Sequence, residues 1–121
     1  MTGKRILVVD DERQVVSALS RLLRRHGFTV ESAHSGAEAL SILERFDPHV
    51  VITDYRMPGM NGAEVLRQVR SLRPQARRFL ISGYTEVAGG MMLEIAHGLI
   101  PKPWDHDALI ELMRGFPAER S

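Results

Sequence analysis

Cysteine is absent from the 121 residues, which excludes a disulfide framework, a thiolate metal site and a cysteine nucleophile and permits a reducing compartment. An excess of charge of one sign is also missing. Sixteen Lys and Arg against fifteen Asp and Glu leave a formal net charge of +1, so nothing electrostatic calls for broad binding to nucleic acid or to a membrane surface. No apolar run approaches the roughly 20 residues of a membrane-spanning helix. The N-terminus passes from Met1–Arg5 straight into Ile6–Val9 and two aspartates, without the apolar stretch and small-residue cleavage site of a signal peptide. The expectation is a cytoplasmic protein whose partners are recognised at a local site. Internal repeats and low-complexity segments are lacking too. What is present, 44% hydrophobic and 26% charged residues, suits a single globular domain, expected over residues 3–115, with 116–121 a frayed tail or the start of a linker.

Short β-branched runs alternate with amphipathic ones. Ile6–Val9 reads as a strand buried on both faces and stopped by Asp10-Asp11. Between Glu12 and His26, Val15, Leu19, Leu22 and Leu23 recur at helical spacing, Arg13, Arg21, Arg24 and Arg25 take the other side, and Gly27 ends the helix. Arg21, Arg24 and Arg25 are a solvated face on this reading. Phe28–Ala33 is a second strand, and Ser35 with Glu38 forms a capping-box pattern for a helix running toward Phe46. Val50–Thr53 is a third strand ended by Asp54; Asn61 with Glu64 opens a helix through Val65, Leu66, Val69 and Leu72, closed before Pro74. Phe79–Ile81 is a fourth strand. A fourth helix falls within Glu86–His97, weakened by Gly89-Gly90, and Leu99-Ile100 is a minimal fifth strand. Asp105 caps a last helix carrying Leu109, Ile110, Leu112 and Met113.

Five strands alternating with five helices imply an α/β fold, a doubly wound parallel sheet with right-handed crossovers. Ligands of such sheets bind beyond the carboxyl ends of the strands. Asp10 and Asp11 stand there after strand one, Asp54 after strand three, Ser82 after strand four and Lys102 after strand five. Each alone reads as an ordinary turn aspartate, turn serine or surface lysine, but five on one edge make a site. Converging carboxylates repel unless a cation relieves them. Mg²⁺ is the natural relief: it takes one or two carboxylates directly, here Asp11 and Asp54 with Asp10 acting through water, and fills its other positions with water and phosphate oxygens. One carboxylate can then attack a phosphoryl donor. Lys102 supplies a fixed cation and Ser82 a short hydrogen-bond donor for the transferred oxygens.

Val8-Val9-Asp10-Asp11-Glu12, the block from Asp54 through Arg56, Met57 and Pro58 to Asn61-Gly62, Ser82-Gly83 and Lys102-Pro103 together resemble the signature set of bacterial response-regulator receiver domains, in order and spacing, over nearly the whole chain. The resemblance implies a flavodoxin-like receiver fold with strand order 2-1-3-4-5, an order of which receivers are a familiar example, and a cis peptide between Lys102 and Pro103. It implies Asp54 as phosphoacceptor and Asp10 and Asp11 as the acidic pair for Mg²⁺. It assigns the Arg56 main-chain carbonyl to the metal, Ser82 to the switch hydroxyl and Lys102 to the phosphoryl group. The function implied is a phosphorelay switch, phosphorylated by a histidine kinase or a histidine phosphotransfer protein and acting on a downstream protein partner that the sequence does not name, without direct contact to nucleic acid or membrane.

Leu99 departs from the family, which usually carries Tyr or Phe three residues before the lysine; leucine fits a buried strand but has no hydroxyl to exchange between partners. Pro101 removes a ladder donor and suggests a short, edge-like fifth strand. Trp104 reads as packing over the start of the last helix, the alternative being a partner contact. The histidines His26, His34, His49, His97 and His106 offer no metal-ligand pair on one helical turn and read as surface or packing residues. A rival class, an aspartate-nucleophile phosphohydrolase, wants Asp-x-Asp after its first strand, where this chain has adjacent Asp10-Asp11, and a cap domain for which 121 residues leave no room. A receiver that never takes phosphate is a third possibility, opposed by the presence of every acceptor and metal residue.

Overall fold

The computed structural model describes residues 3–83 and 94–115. Five strands, β1 (Arg5–Val9), β2 (Thr29–Ala33), β3 (Val50–Asp54), β4 (Arg77–Ser82) and β5 (Gly98–Pro101), form one parallel sheet in the order β2-β1-β3-β4-β5. Four helices are described: α1 (Arg13–Arg25), α2 (Gly36–Ile42), α3 (Gly62–Leu72) and α4 (His106–Arg114). The expected helix within Glu86–His97 falls mainly on residues 84–93, outside the described residues; Glu94 and Ile95 are helical. Residues 116–121 also lie outside.

Strand alternation divides the core into two layers. Leu7, Val9, Val51 and Leu80 face α2 and α3, whereas Ile6, Val8, Val50, Ile52, Phe79 and Ile81 face α1 and α4. Every residue of β3 is buried, as a central parallel strand requires. Val16, not Val15, joins Leu19, Leu22 and Leu23 as a buried residue of α1. On α3 the apolar stripe ends at Val69: Leu72, in the last turn, is 49% exposed.

Caps decide the helix starts. Asn61 Oδ1 accepts from Glu64 N at 3.0 Å while Glu64 Oε1 accepts from Asn61 N at 3.0 Å, the reciprocal capping box. Ser35 Oγ accepts from Glu38 N, but the Glu38 carboxylate reaches back one residue further, to His34 N at 2.7 Å. Helix α2 stops at Ile42, short of Phe46, and continues as turns.

Two histidines read as surface or packing residues have a sharper role. His49 N donates to Arg5 O and its Nδ1 accepts from Arg5 N at 2.9 Å. His97 repeats this with Arg78, again with Nδ1 accepting at 2.9 Å. Each imidazole stands in for a main-chain carbonyl where a neighbouring strand has not yet begun.

Candidate functional site

The carboxyl ends of β1, β3, β4 and β5 open on a cavity of about 580 Å³ bordered by Asp11, Glu12, Asp54, Arg56, Ser82 and Lys102. Asp10 lies beneath it, fully buried. The central position of β1 and β3 puts Asp10 and Asp54 side by side, and one carboxylate oxygen from each of Asp10, Asp11 and Asp54 falls within 4.8 Å of the others. All five residues singled out from the sequence are therefore together, and Arg56 borders the same space. The approach of α3 to the end of β3 depends on Gly62. Its N–H donates to Tyr55 O at 2.8 Å, and a Cβ there would stand 2.2 Å from Asp54 O.

Lys102 Nζ sits 3.0 Å from Asp10 Oδ2 and 3.2 Å from Asp54 Oδ1. Its main chain is held in place by the Lys102 N–H donating to Ser82 O at 3.1 Å, and the Lys102–Pro103 peptide is cis, as the family resemblance implied. Burial alone would lower the Lys102 pKa, but Asp10 and then Asp54 outweigh it and hold the ammonium above its ordinary value. Burial raises the Asp10 carboxyl, against the Glu12 N–H donating to its Oδ1 and the Lys102 ammonium. Burial also raises Asp54, with the Asp10 charge adding to it and Lys102 opposing.

Glu12 is a site residue that pattern reading misses. It precedes α1 without capping it through its side chain; instead its Oε1 accepts from Lys102 Nζ at 3.3 Å. A glutamate next to an aspartate pair gives no sequence signal for this, since the contact spans 90 positions of chain. Three carboxylates thus share one ammonium.

The fit to a metal rests on Asp10 Oδ2. This buried oxygen has the Lys102 ammonium at 3.0 Å but no well-aligned hydrogen bond. A buried carboxylate oxygen with a lone pair unclaimed, beside two further carboxylates in a polar cavity, is a donor set for a hard divalent cation. Asp10, Asp11 and Asp54 could hold a metal ion.

The family model of the response regulator receiver domain matches residues 6–114. The chain belongs to this family. It is 39% identical over 112 residues to the hydrogenase transcriptional regulatory protein HoxA of Cupriavidus necator, covering 90% of this chain and 23% of HoxA. It is 36% identical over 103 residues to the sensor kinase CckA of Brucella abortus, covering 82% of this chain and 11% of CckA. This receiver domain therefore spans only a fraction of those relatives. Its fold matches that of the response regulator TrrA of Thermotoga maritima, solved in complex with Mg(2+)-BeF, with a TM-score of 0.85 at 31% identity over 93% of this chain and 97% of that one. The protein is thus a receiver domain of two-component systems, a signalling domain. Among the described residues no helix is long and apolar enough to cross a membrane.

The expectation for Leu99 needs correction. Leu99 is 39% exposed rather than buried; registered against the fully buried Leu80, it lies on the same face of the sheet, at its edge. The short edge strand suggested by Pro101 is as expected, four residues long. Trp104 packs against the α1/α4 core layer and stacks on His106 with ring centroids 6.5 Å apart.

Proposed function

We propose that this receiver domain, residues 3–115, accepts a phosphoryl group on Asp54 from a histidine kinase or histidine phosphotransfer protein, with Mg²⁺ at Asp10, Asp11, Asp54 and the Arg56 carbonyl, in the cytoplasm. The observation that carries it is the Asp54 carboxylate at the end of β3, within 4.8 Å of two other aspartates and 3.2 Å from an ammonium. Bound Mg²⁺ supplies charge neutralisation and an anchor for phosphate oxygens. An Asp54 oxygen attacks phosphorus; the new O–P bond forms as the P–N bond to the donor imidazole breaks, and the imidazole nitrogen leaves with the electron pair. Lys102 turns from Glu12 and Asp10 to the incoming oxygens, and Ser82 donates to another. Placing about two negative charges beside Ser82 draws that hydroxyl inward, which is the step that changes partner binding.

Acetyl phosphate with Mg²⁺ is expected to add one acid-labile phosphoryl group, seen as a single mass increment on the intact protein, and Asp54→Asn to abolish it. Equal labelling of that variant would move the acceptor elsewhere.

A further inference from the structure

A second cavity, of about 780 Å³, runs between α1 and the edge strand β2 and shares no lining residue with the carboxylate site. Arg13, Arg21, Arg24 and Arg25 border it together with Ser17 and Ser20. Positions 13, 17, 20, 21 and 24 fall on one stripe of a helix, and the rise from Arg13 to Arg24 is about 16 Å. Four guanidinium groups this close repel one another, so they are normally relieved by carboxylates. Here none of the four has a carboxylate within ion-pair distance among the described residues. Arg21 rests on Ser17 Oγ at 3.3 Å and Arg24 on Val30 O at 2.8 Å, both uncharged oxygens. On the far wall Ser32 and His34 add polar groups; the Glu38 carboxylate is engaged with His34 and does not line the cavity.

Ser20 closes the groove from below. It is 3% exposed, borders the cavity, and its Oγ has no hydrogen-bond partner. That oxygen is sealed from solvent, so it lies beneath the floor and does not itself touch a ligand. The lining has no carboxylate, which excludes a cation, and no aromatic ring except the His34 imidazole, which leaves no apolar platform for a nucleobase. Guanidinium forks with hydroxyl donors suit tetrahedral oxyanions. The geometry points to a binding groove for a compact polyphosphate or multiply phosphorylated small molecule, held by Arg21, Arg24 and Arg25.

Inorganic tripolyphosphate is the probe, titrated calorimetrically into the whole chain with chelator present so that no metal bridges it to the aspartates. One ion is expected to bind per chain, with affinity falling as salt rises. Asp54→Asn should bind it equally well. Arg21→Gln/Arg25→Gln should weaken it about tenfold or more, while circular dichroism shows the variant folded. Unchanged affinity in the folded double variant would overturn the assignment. So would a hexaglutamate peptide or a short single-stranded oligonucleotide binding as tightly as tripolyphosphate at the same salt, since either would make this a general basic face.

Discussion

Removing the Lys102 ammonium tests the electrostatics of the carboxylate site without touching a proposed metal ligand. In Lys102→Met the side-chain length is nearly kept, while Asp10 and Asp54 lose the charge now 3.0 and 3.2 Å away. At an effective dielectric near 20, each contact is worth about 5 kcal/mol of Coulomb energy, most of which offsets the desolvation of the buried groups. The net cost of breaking buried pairs from one side is about 3 kcal/mol; the more exposed Glu12 contact adds little. For a domain of this size that is a fall in Tm of about 12 °C, read by circular dichroism in chelator near neutral pH. Two further readings separate this cause from simple loss of packing. Asp10 and Asp54 already have raised pKa values, and losing the ammonium raises them further. A raised carboxyl contributes stability that is fully present below its unfolded value and lost as pH rises through the folded one, so acidification from neutral pH toward about 4 should restore part of the loss. Millimolar Mg²⁺ should also raise the Tm of the variant more than that of the wild type. A variant melting within about 2 °C of wild type in chelator would refute the reasoning, as would a deficit indifferent to both pH and Mg²⁺.

Asp11→Ala should weaken Mg²⁺ binding more than Asp10→Ala, because direct ligation is lost in one and a water-mediated contact in the other; equal affinities in a Trp104 fluorescence or calorimetric titration would overturn this division of roles. Gly62→Ala should cost about 2 kcal/mol or more in denaturant unfolding, since the added methyl meets Asp54 O at 2.2 Å, and an unaltered midpoint would show that α3 can retreat freely. Lys4, 6% exposed with its Nζ donating to Met113 O at 2.6 Å, joins β1 to the last turn of α4; Lys4→Met should leave that carbonyl unpaired and increase hydrogen exchange at the end of α4, and unchanged exchange there would dismiss the tie. His97 is lowered by burial and then by Arg78 and Arg77, so its contribution is present above about 6.5 and lost as pH falls through the folded value. His97→Asn, which keeps an acceptor near Nδ1, should lose less stability between neutral pH and about 5 than wild type does, and parallel losses would clear His97.

The site is legible in the sequence because each of its residues follows a strand, and a parallel sheet aligns strand ends by construction. Register follows from the same regularity: Leu7 and Val9 alternate with Ile6 and Val8 between two core layers. Contacts that cross the chain without periodicity leave no such trace. Glu12 meets Lys102 only because β1 and β5 end on one edge, and the His49 and His97 imidazoles replace carbonyls at strand starts that no local pattern marks. The exposure of Leu99 escapes the sequence for a related reason. An apolar residue in a strand reads as buried, but on the same edge strand Leu99 is 39% exposed and Ile100 4%, a difference set by what covers each face of β5 and not by the strand itself. The arginine stripe of α1 is legible as exposed; its cavity and the unpartnered Ser20 beneath it depend on how β2 sits beside the helix.

The exposed Leu99 also bears on how a phosphoryl group could be felt at a distance. Residue 99 is 39% exposed before any phosphoryl group is added. The mechanical link lies one step along the strand. Ser82 is registered against Pro101, which has no N–H to give, and the next donor, Lys102 N, donates to Ser82 O at 3.1 Å. The hydroxyl and the ammonium proposed to meet the phosphoryl oxygens are therefore coupled through a main-chain hydrogen bond at the end of an edge strand. Asp10 and Asp54, like Ser82, stand at the ends of strands paired on both sides, whereas Lys102 follows the edge strand. Of these four residues Lys102 is therefore the one least held by sheet pairing. On the reading proposed above, a shift of Lys102 toward the phosphoryl oxygens carries the end of β5 with it, a route to the face β5 forms that does not call for an aromatic ring at position 99.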